Sequence, residues 1–553
     1  MKFSYLSRPD LRSKLENDSF DLLIIGGGIT GTGIALDAAT RGMKTALVEM
    51  QDFAAGTSSR STKLVHGGLR YLKQFEVAMV AEVGRERTIV YENGPHVTTP
   101  VRMLLPFHEG GTFGKLSTSL GLRVYDLLAG VKRNEWRGML SVEETIEREP
   151  LIKREGLKGG GHYVEYRTDD ARLTIEVAKK AFEMGANLMN YAKVVEFVYE
   201  GGKIAGAVVE DRLTNERFTI KAKKIINASG PWVDTLREKD HSKKGKQLQL
   251  TKGVHVVIDQ SRFPLKQAVY FDTPDGRMIF AIPRGEKVYV GTTDTFYGDD
   301  PLSPKITDAD RTYILEAANY MFPAVNLTEE DIESSWAGVR PLILEEGKDP
   351  SEISRKDEIW VSESGLITIA GGKLTGYRKM AETVLDKVAG QFEDEYSIKF
   401  DSCQTKHLPI SGGEIGGSDN LEAFVRAQKD IGTKLGLEPA VAESLAHMYG
   451  ANVSKIFEII KDRKDQVSES KLPIHVFSML VYSIEQENAA TPVDFLLRRT
   501  GAILFDIKNA EQWKDGVVNY MNKAFEWEES QKERFLRELD TEFYNAKNPV
   551  GTV

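Results

Sequence analysis

The sequence predicts an α/β fold of two interleaved sheet-containing domains, followed by an all-helical C-terminal domain. Three observations support this prediction. Near the N-terminus, an apolar strand-like run, a glycine-rich turn and a helix-like segment follow one another. Strand-like stretches such as 254–258, 278–282 and 287–291 then cluster between residues 245 and 350, which predicts an antiparallel or mixed sheet. Beyond about residue 400, apolar residues recur at helical spacing instead, as Trp513, Val517 and Met521 do, and Asp494 or Thr491 is the candidate cap of a helix over 495–499.

Composition and charge narrow the class of protein. The chain has 553 residues, of which 28% are charged and 41% hydrophobic, as in a globular protein of two or three domains. Its net charge of −9 argues against a general nucleic-acid binder. A single cysteine, Cys403, excludes an internal disulfide and fits a reducing compartment. No apolar run approaches the ~18 residues of a membrane span. We therefore expect a cytoplasmic protein without a signal peptide that at most lies on a membrane surface.

The N-terminal elements form a βαβ unit. Residues 21–25 predict a short buried parallel strand, 29–41 a helix and 44–49 the next strand. Two later segments, 224–232 and 367–374, repeat the opening strand and glycine turn of this unit. Together they predict a Rossmann-like domain whose sheet receives strands from distant parts of the chain.

The turn after the first strand carries the pattern G-x-G-x-x-G at Gly26, Gly28 and Gly31. The first glycine permits a tight turn, the second allows the backbone to approach a pyrophosphate, and the third allows close helix packing. The helix N-terminus presents N–H groups to phosphates. Glu49 ends the second strand, where a carboxylate accepts hydrogen bonds from ribose hydroxyls. The motif predicts a dinucleotide site; a purely structural turn is the alternative, and NAD competes with FAD as the ligand.

Two features favour FAD. The strand-glycine turns recurring at 228–230 and 371–372 suggest several loops converging on one large cofactor. Residues 56–71 are also dense in glycine and small hydroxyl side chains, which let the backbone pass close to a flat ring and supply hydrogen bonds to it. A flexible surface loop is the alternative interpretation of that segment.

The string 58–71 resembles the signature of FAD-dependent glycerol-3-phosphate dehydrogenases, as do 337–341, 353–357 and 371–378. The similarity runs through essentially the whole chain, including the helical C-terminal part. It implies a fold of the amine- and hydroxy-acid-oxidising flavoproteins, with non-covalent FAD. It also implies oxidation of sn-glycerol 3-phosphate to dihydroxyacetone phosphate, electron delivery to a membrane quinone, and attachment to the inner face of the cell membrane. Gly376 and Ser354 depart from the Thr common among relatives, but neither changes a charged contact.

Matching the chain to this family divides it into three domains. We assign 1–76, 166–244 and 351–400 to the FAD-binding domain, 77–165 and 245–350 to the substrate-binding domain, and 401–553 to the helical domain. The predicted cofactor-binding residues come from the glycine motif, the signature string and the two later turns. They are Gly26, Gly28, Ile29, Thr30, Gly31, Glu49, Thr57, Ser58, Ser59, Lys63, His66, Gly67, Ser229, Gly230, Gly372, Lys373, Leu374 and Thr375.

The implied substrate carries a phosphate dianion and a secondary alcohol. The phosphate requires cations, ideally the forked donors of arginine. The family match implies a substrate site of Arg70, Tyr71, His255, Arg340, Arg355 and Lys373. Such convergence would form a basic pocket in an acidic protein and steer an anionic substrate inward. A surface ion pair is the alternative role for each arginine taken alone.

Catalysis requires removal of a hydride and of the hydroxyl proton. The flavin accepts the hydride, and the protein supplies orientation, a proton acceptor and charge stabilisation. We favour His255 as the acceptor and His66 as a flavin-side contact; water beside an arginine-stabilised alkoxide is the alternative acceptor. Arg340 and Lys373 complete the predicted catalytic set, with Lys373 stabilising developing charge.

Residues 112–133 mix Leu and Val with basic residues, which suits an interfacial segment or a core helix with basic ends.

The sequence also leaves other functions open. An oxygen-reducing glycerol-3-phosphate oxidase, another amine or hydroxy-acid oxidoreductase of the same fold, and a non-enzymatic flavin sensor are the competing functions. The sequence is compatible with a homodimer but does not give the oligomeric state. It predicts no metal site.

Overall fold

The computed structural model describes residues 2–66, 77–111, 137–345, 357–371 and 373–551. The described strands are β1 (Ser19–Ile25), β2 (Thr45–Val48), β3 (Leu64–Val65), β4 (Thr98–His108), β5 (Gly138–Leu140), β6 (Leu157–Thr168), β7 (Asn187–Met189), β8 (Ala192–Glu200), β9 (Lys203–Asp211), β10 (Arg217–Asn227), β11 (Lys246–Asp259), β12 (Ala268–Asp272), β13 (Met278–Arg284), β14 (Lys287–Gly291), β15 (Thr295–Phe296), β16 (Ile332–Glu345), β17 (Glu358–Val361) and β18 (Ile367–Ala370). The described α-helices are α1 (Arg8–Asn17), α2 (Ile29–Thr40), α3 (Val77–Asn93), α4 (Val142–Arg148), α5 (Asp170–Glu183), α6 (Val233–Lys239), α7 (Asp308–Met321), α8 (Tyr377–Tyr396), α9 (Leu421–Lys434), α10 (Pro439–Tyr449), α11 (Val453–Asp462), α12 (Lys464–Ser470), α13 (Ile474–Gln486), α14 (Ala502–Phe505), α15 (Ile507–Phe525) and α16 (Glu529–Lys547).

The first sheet has a parallel centre in the strand order β18-β10-β1-β2-β7. Helices α2, α5 and α8 pack together against it. Every residue of β2 is buried, as expected for a parallel strand covered on both faces. Because β18, β10 and β1 run in the same direction, the glycine turns that follow them meet at one edge of the sheet. The predicted Rossmann-like arrangement is confirmed.

The second sheet has the strand order β15-β11-β14-β13-β12-β4-β6-β3, with β16 pairing β11 and β5 pairing β6. Its described pairs are antiparallel except for β12 with β4. The predicted strands 254–258, 278–282 and 287–291 lie in β11, β13 and β14. The predicted mixed sheet is therefore confirmed. One strand of it, β3, lies within the segment 1–76 assigned to the other domain, because the chain crosses there from one sheet to the other. The exact domain boundaries stay a prediction.

The C-terminal part is helical over α9–α16, as predicted. On α15, Val517 and Met521 are fully buried, while Trp513 and Phe525 are partly buried against the same core. The two predicted cap residues bond each other: the backbone N–H of Asp494 donates to Thr491 Oγ1 at 3.3 Å, and the Asp494 carboxylate accepts from the backbone N–H of Thr491 at 2.9 Å. However, residues Asp494–Arg499 form a π-helix rather than an ordinary one. Within the described part of the chain, no helix is both long and apolar enough to span a bilayer.

Candidate active site

The turn between β1 and α2 requires glycine for geometric reasons. Gly26 has a φ of +118°, and a Cβ there would lie under 3.0 Å from the carbonyl oxygen of Ala228 on the neighbouring turn. A Cβ on Gly31 would lie under 3.0 Å from the carbonyl oxygen of Gly26. Backbone atoms cannot rotate away from such a clash. The glycine motif therefore allows the first turn of α2 to pack directly on the strand end.

The N-terminus of α2 and the carboxylate of Glu49 face the same space. The backbone N–H of Ile29 donates to Ser58 Oγ at 2.9 Å. The carboxylate of Glu49 accepts from the N–H of Gly27 at 2.6 Å and from that of Gln51 at 2.8 Å. Burial raises the pKa of Glu49, and the two N–H groups oppose this shift. Each carboxylate oxygen keeps a lone pair for a further donor such as a ribose hydroxyl.

A cavity of about 560 Å³ opens at this turn and is lined by residues of both sheets. Its lining includes Glu49, Ala192 and Val194, which belong to the first sheet and its connections. It also includes Gly253 of β11 and Arg340 of β16, which belong to the second sheet. The volume is in the usual range for a cofactor or small-ligand site. One continuous space thus joins the dinucleotide elements to the second sheet.

Basic side chains from separate segments line this cavity. Arg340 donates from Nη1 to the carbonyl oxygen of Thr293 at 3.1 Å and to Asp294 Oδ1 at 3.3 Å. Its Nη2 donates to Thr292 Oγ1 at 2.8 Å. The guanidinium fits because Gly253 beneath it has no side chain; a Cβ there would lie under 3.0 Å from Nη2.

Lys373 lines the same cavity and follows the third glycine turn. Arg60 also lines it, and burial lowers the pKa of its guanidinium. Because Arg60, Arg340 and Lys373 line one space, the cavity is locally basic although the chain is acidic overall. This is the arrangement expected around a phosphorylated ligand.

His255 is almost completely buried and stacks on Trp336 with a ring separation of 4.6 Å. Its Nε2 lies 3.0 Å from Thr62 Oγ1. Burial, followed by the charges of Arg340 and Lys63, holds the pKa of His255 well below its usual value. The imidazole is therefore neutral near pH 7, and burial beside two cations opposes its protonation. It is not among the described residues that line the cavity, whereas Thr62 is.

Comparison with known proteins shows which family has this architecture. The family model of FAD dependent oxidoreductases matches residues 21–378, and that of the C-terminal domain of alpha-glycerophosphate oxidase matches residues 403–532. The chain is 61% identical to the aerobic glycerol-3-phosphate dehydrogenase of Bacillus subtilis (strain 168) over 549 residues, covering 99% of each protein. It is 59% identical to that of Staphylococcus aureus (strain USA300) over 550 residues, covering 99% of this chain and 98% of the relative.

The chain belongs to the aerobic, FAD-dependent glycerol-3-phosphate dehydrogenase family. The crystal structure of the Bacillus halodurans glycerol-3-phosphate dehydrogenase complexed with FAD agrees, with 49% identity, full coverage of both chains and a TM-score of 0.87. The L-alpha-glycerophosphate oxidase of Mycoplasma pneumoniae, at 19% identity and a TM-score of 0.55 over 70% of this chain and 97% of that one, shares the fold. The predicted family, fold class and FAD cofactor are confirmed.

The described residues fit the cofactor of this family. No side chain fits at Gly26, so the backbone of this turn is bare. A pyrophosphate would meet it at the N-terminus of α2. Glu49 would hold the ribose. Further residues that were predicted to contact the cofactor line the cavity, and their contact with FAD stays a prediction; they are Gly28, Ile29, Thr30, Thr57, Ser58, His66, Ser229, Gly230, Lys373, Leu374 and Thr375. His66 is fixed at its backbone, because its N–H and carbonyl both bond Thr375 Oγ1 at 3.1 Å.

Two predicted cofactor residues are placed elsewhere. Lys63 and Ser59 are not among the described residues that line the cavity. The ammonium of Lys63 is buried in an ion pair with Asp170 at 2.6 Å and also bonds the Ser59 carbonyl oxygen at 2.9 Å. Lys63 thereby anchors the signature segment to α5, and the assignment of Lys63 and Ser59 to the cofactor stays a prediction. Gly31 acts through packing rather than by facing the cavity.

Several predicted site residues lie outside the described residues. They are Gly67, Arg70, Tyr71, Arg355 and Gly372, together with the proposed surface segment 112–133. Their assigned roles stay predictions.

Sequence reasoning missed Arg60, Thr62 and Thr292. The first two lie inside the signature string, but nothing in that string distinguishes a cavity-lining side chain from a buried one. Thr292 orients Arg340 from a strand end 48 residues away. Only the pairing of β11 with both β14 and β16 brings it there.

Replacing Gly31 by alanine should sharply reduce FAD uptake. The new Cβ must displace the carbonyl oxygen of Gly26, and overpacking of this kind costs about 1–3 kcal/mol, or roughly a ten- to hundred-fold weaker FAD complex. The ratio of flavin to protein absorbance after purification measures the effect. Gly390→Ala in α8 is the control, because its Cβ would meet open space. Equal flavin content in both variants would contradict the assigned role.

Proposed function

We propose that this chain oxidises sn-glycerol 3-phosphate to dihydroxyacetone phosphate, with FAD accepting the hydride, and that the electrons pass to a membrane quinone. The observation that carries the proposal is the basic lining of the cavity, in which Arg340, Lys373 and Arg60 share one space with the dinucleotide-binding turns. The names of the relatives from Bacillus and Staphylococcus give the substrate.

Arg340 is the main residue that we assign to recognition of the substrate phosphate. Its guanidinium is held in one plane by Thr292, Thr293 and Asp294, and is about a quarter exposed. Holding the fork before the ligand arrives reduces the entropy lost on binding. Arg70, Tyr71 and Arg355 are proposed partners in the same site on the family match.

The proton follows a separate route from the hydride. FAD, when bound, takes two electrons and one hydrogen from the substrate carbon. The hydroxyl proton remains, and we assign His255 as its acceptor, with Thr62 between the cavity and the imidazole. The Thr62 hydroxyl can donate to His255 Nε2 and accept from the substrate alcohol at the same time. Lys373 stabilises the negative charge that develops on the substrate oxygen.

The electron acceptor and the location belong to the same proposal. The relatives are described as aerobic dehydrogenases, and the family resemblance supports a quinone acceptor at the inner face of the cell membrane. The C-terminal match to alpha-glycerophosphate oxidase favours a second candidate, in which oxygen reoxidises the flavin.

The substrate is tested without any electron acceptor. Anaerobic addition of sn-glycerol 3-phosphate to the purified yellow protein should bleach the flavin absorbance. Glycerol, which lacks the phosphate, should bleach it far more slowly at equal concentration. An unbleached flavin, or equal rates with both compounds, would refute the proposed substrate.

The acceptor is tested on the reduced protein. A soluble quinone should restore the yellow colour rapidly, whereas air should restore it slowly and with little peroxide. Rapid reoxidation by air with one peroxide per substrate would instead establish the oxidase. Co-sedimentation with anionic liposomes tests membrane attachment.

A further inference from the structure

We propose that Asp52 is a positioning residue through which the C-terminal helical domain holds the ribose-binding wall of the FAD site in place. The proposal concerns the cofactor site and does not depend on which substrate or electron acceptor the protein uses. The wall is the segment 49–56, which runs from the end of β2 along the cavity.

This wall faces the cavity on one side only. Glu49, Met50, Ala55 and Gly56 line the cavity, whereas Asp52 is fully buried behind them. Backbone hydrogen bonds tie the segment to its neighbours: the N–H of Ala54 donates to the Gly27 carbonyl at 3.0 Å. A shift at Asp52 therefore moves both the carboxylate of Glu49 and the glycine turn.

Asp52 is held from the helical domain by adjacent arginines. Arg499 donates to both carboxylate oxygens, from Nη1 at 2.6 Å and from Nη2 at 3.0 Å. Arg498 donates from Nε at 2.7 Å, and Asn190 donates from Nδ2 at 3.0 Å. Burial alone would raise the pKa of Asp52, but Arg499 and Arg498 hold it at about 2. The carboxylate thus stays charged at any physiological pH.

The π-helix explains how neighbouring arginines reach one carboxylate. In an α-helix, consecutive side chains point about 100° apart, since a turn holds about 3.6 residues. The wider turn of Asp494–Arg499 lets both side chains converge on Asp52. Such π segments are rare and often occur at functional sites. Each arginine is also tied within its own domain, Arg498 to Asp494 at 2.6 Å and Arg499 to the Glu487 carbonyl at 2.8 Å.

The same interface contains a second buried ionic group that does not reach the cavity wall. Arg172 of α5 donates to Glu487 Oε2 at 2.8 Å, and Lys179 lies 3.4 Å from Glu487 Oε1. Glu487 and Asp52 are both completely buried and both face arginines across the interface. None of Arg172, Lys179 and Glu487 is among the described residues that line the cavity. The Glu487 carboxylate approaches Arg499 Nε only at 3.9 Å and has no contact with the described residues of the wall, so Glu487 is a matched control for the direct contact that Asp52 makes.

The test compares the isosteric variants Asp52→Asn and Glu487→Gln in the full-length holoprotein. The increase in flavin fluorescence on dilution gives the FAD dissociation constant, and thermal unfolding gives the loss of stability. We expect Asp52→Asn to raise the FAD dissociation constant at least tenfold and Glu487→Gln to change it less than twofold, although both lower the melting temperature. Hydrogen exchange at the amides of Gly27 and Gln51, which bond Glu49, should accelerate only in Asp52→Asn.

Two outcomes would overturn the proposal. One is an unchanged FAD dissociation constant in Asp52→Asn; the other is an equal rise in both variants, which would indicate general loosening of the interface. If Asp52→Asn does not fold, Asp52→Glu, which keeps the charge and adds one methylene, is judged against Glu487→Gln by the same criterion. Because no substrate is added, failure of glycerol 3-phosphate oxidation would leave this result unaffected.

Discussion

Replacing Arg340 by alanine is expected to lower kcat/KM for sn-glycerol 3-phosphate by about a hundred- to a thousand-fold, mainly through KM. Hydrogen bonds to a charged group contribute about 1.5–3 kcal/mol each, and a forked guanidinium offers more than one to the phosphate. A loss of about 3–4 kcal/mol corresponds to this range. The FAD content should not change, because Arg340 belongs to β16 of the second sheet, whereas the glycine turn and Glu49 belong to the first sheet. Steady-state kinetics with a soluble quinone, alongside the flavin absorbance, measure both quantities.

The controls separate the charge from its geometry. Arg340→Lys keeps the positive charge but loses the planar fork, so it should recover only part of the loss. Arg262→Ala removes an arginine that bonds Asp331 and lies outside the described cavity lining, and it should leave KM within about twofold. An unchanged KM in Arg340→Ala would remove this residue from the substrate site.

The parts of the molecule that could be predicted from sequence are those specified by local physics. The glycine spacing predicted the β1–α2 turn because a tight turn and close packing exclude any Cβ at Gly26 and Gly31. Alternation and apolar runs likewise predicted strands within β11, β13 and β14. These features depend on residues a few positions apart, which sequence patterns reveal directly.

The parts that could not be predicted depend on pairing between distant segments. Lys63 was assigned to the cofactor from its neighbours, but its charge is neutralised by Asp170, 107 residues further along the chain. The burial of His255 follows from its pairing opposite Trp336 in β16 and Gly291 in β14. Similarly, Asp494 and Thr491 could be recognised as cap residues from the sequence, whereas the contact between the π-helix and Asp52 joins residues more than 400 positions apart.

His255→Gln is expected to slow flavin reduction in a single turnover by about a hundred- to a thousand-fold, the range for loss of a general base. The amide can keep the hydrogen bond to Thr62, but it cannot accept a proton. In the wild type, the lowered pKa keeps the imidazole neutral, so protonation of His255 should slow reduction only well below pH 6.5. Stopped-flow absorbance under anaerobic conditions gives the rate at each pH. A wild-type rate in His255→Gln would exclude this residue as the base.

The pH dependence of folding provides an independent check on the same imidazole. Because the folded chain resists protonation of His255 while the unfolded chain does not, acidification below about pH 6.5 favours unfolding. His255→Gln should therefore lose less stability between neutral and mildly acidic pH than the wild type does.

Variants of Thr62 test whether the proton passes through the Thr62 hydroxyl on its way to His255. If the hydroxyl links the substrate alcohol to Nε2, Thr62→Val should slow reduction about as much as His255→Gln, and Thr62→Ser should retain most of the rate. A fast Thr62→Val variant beside a slow His255→Gln variant would mean that the proton reaches the imidazole without this hydroxyl.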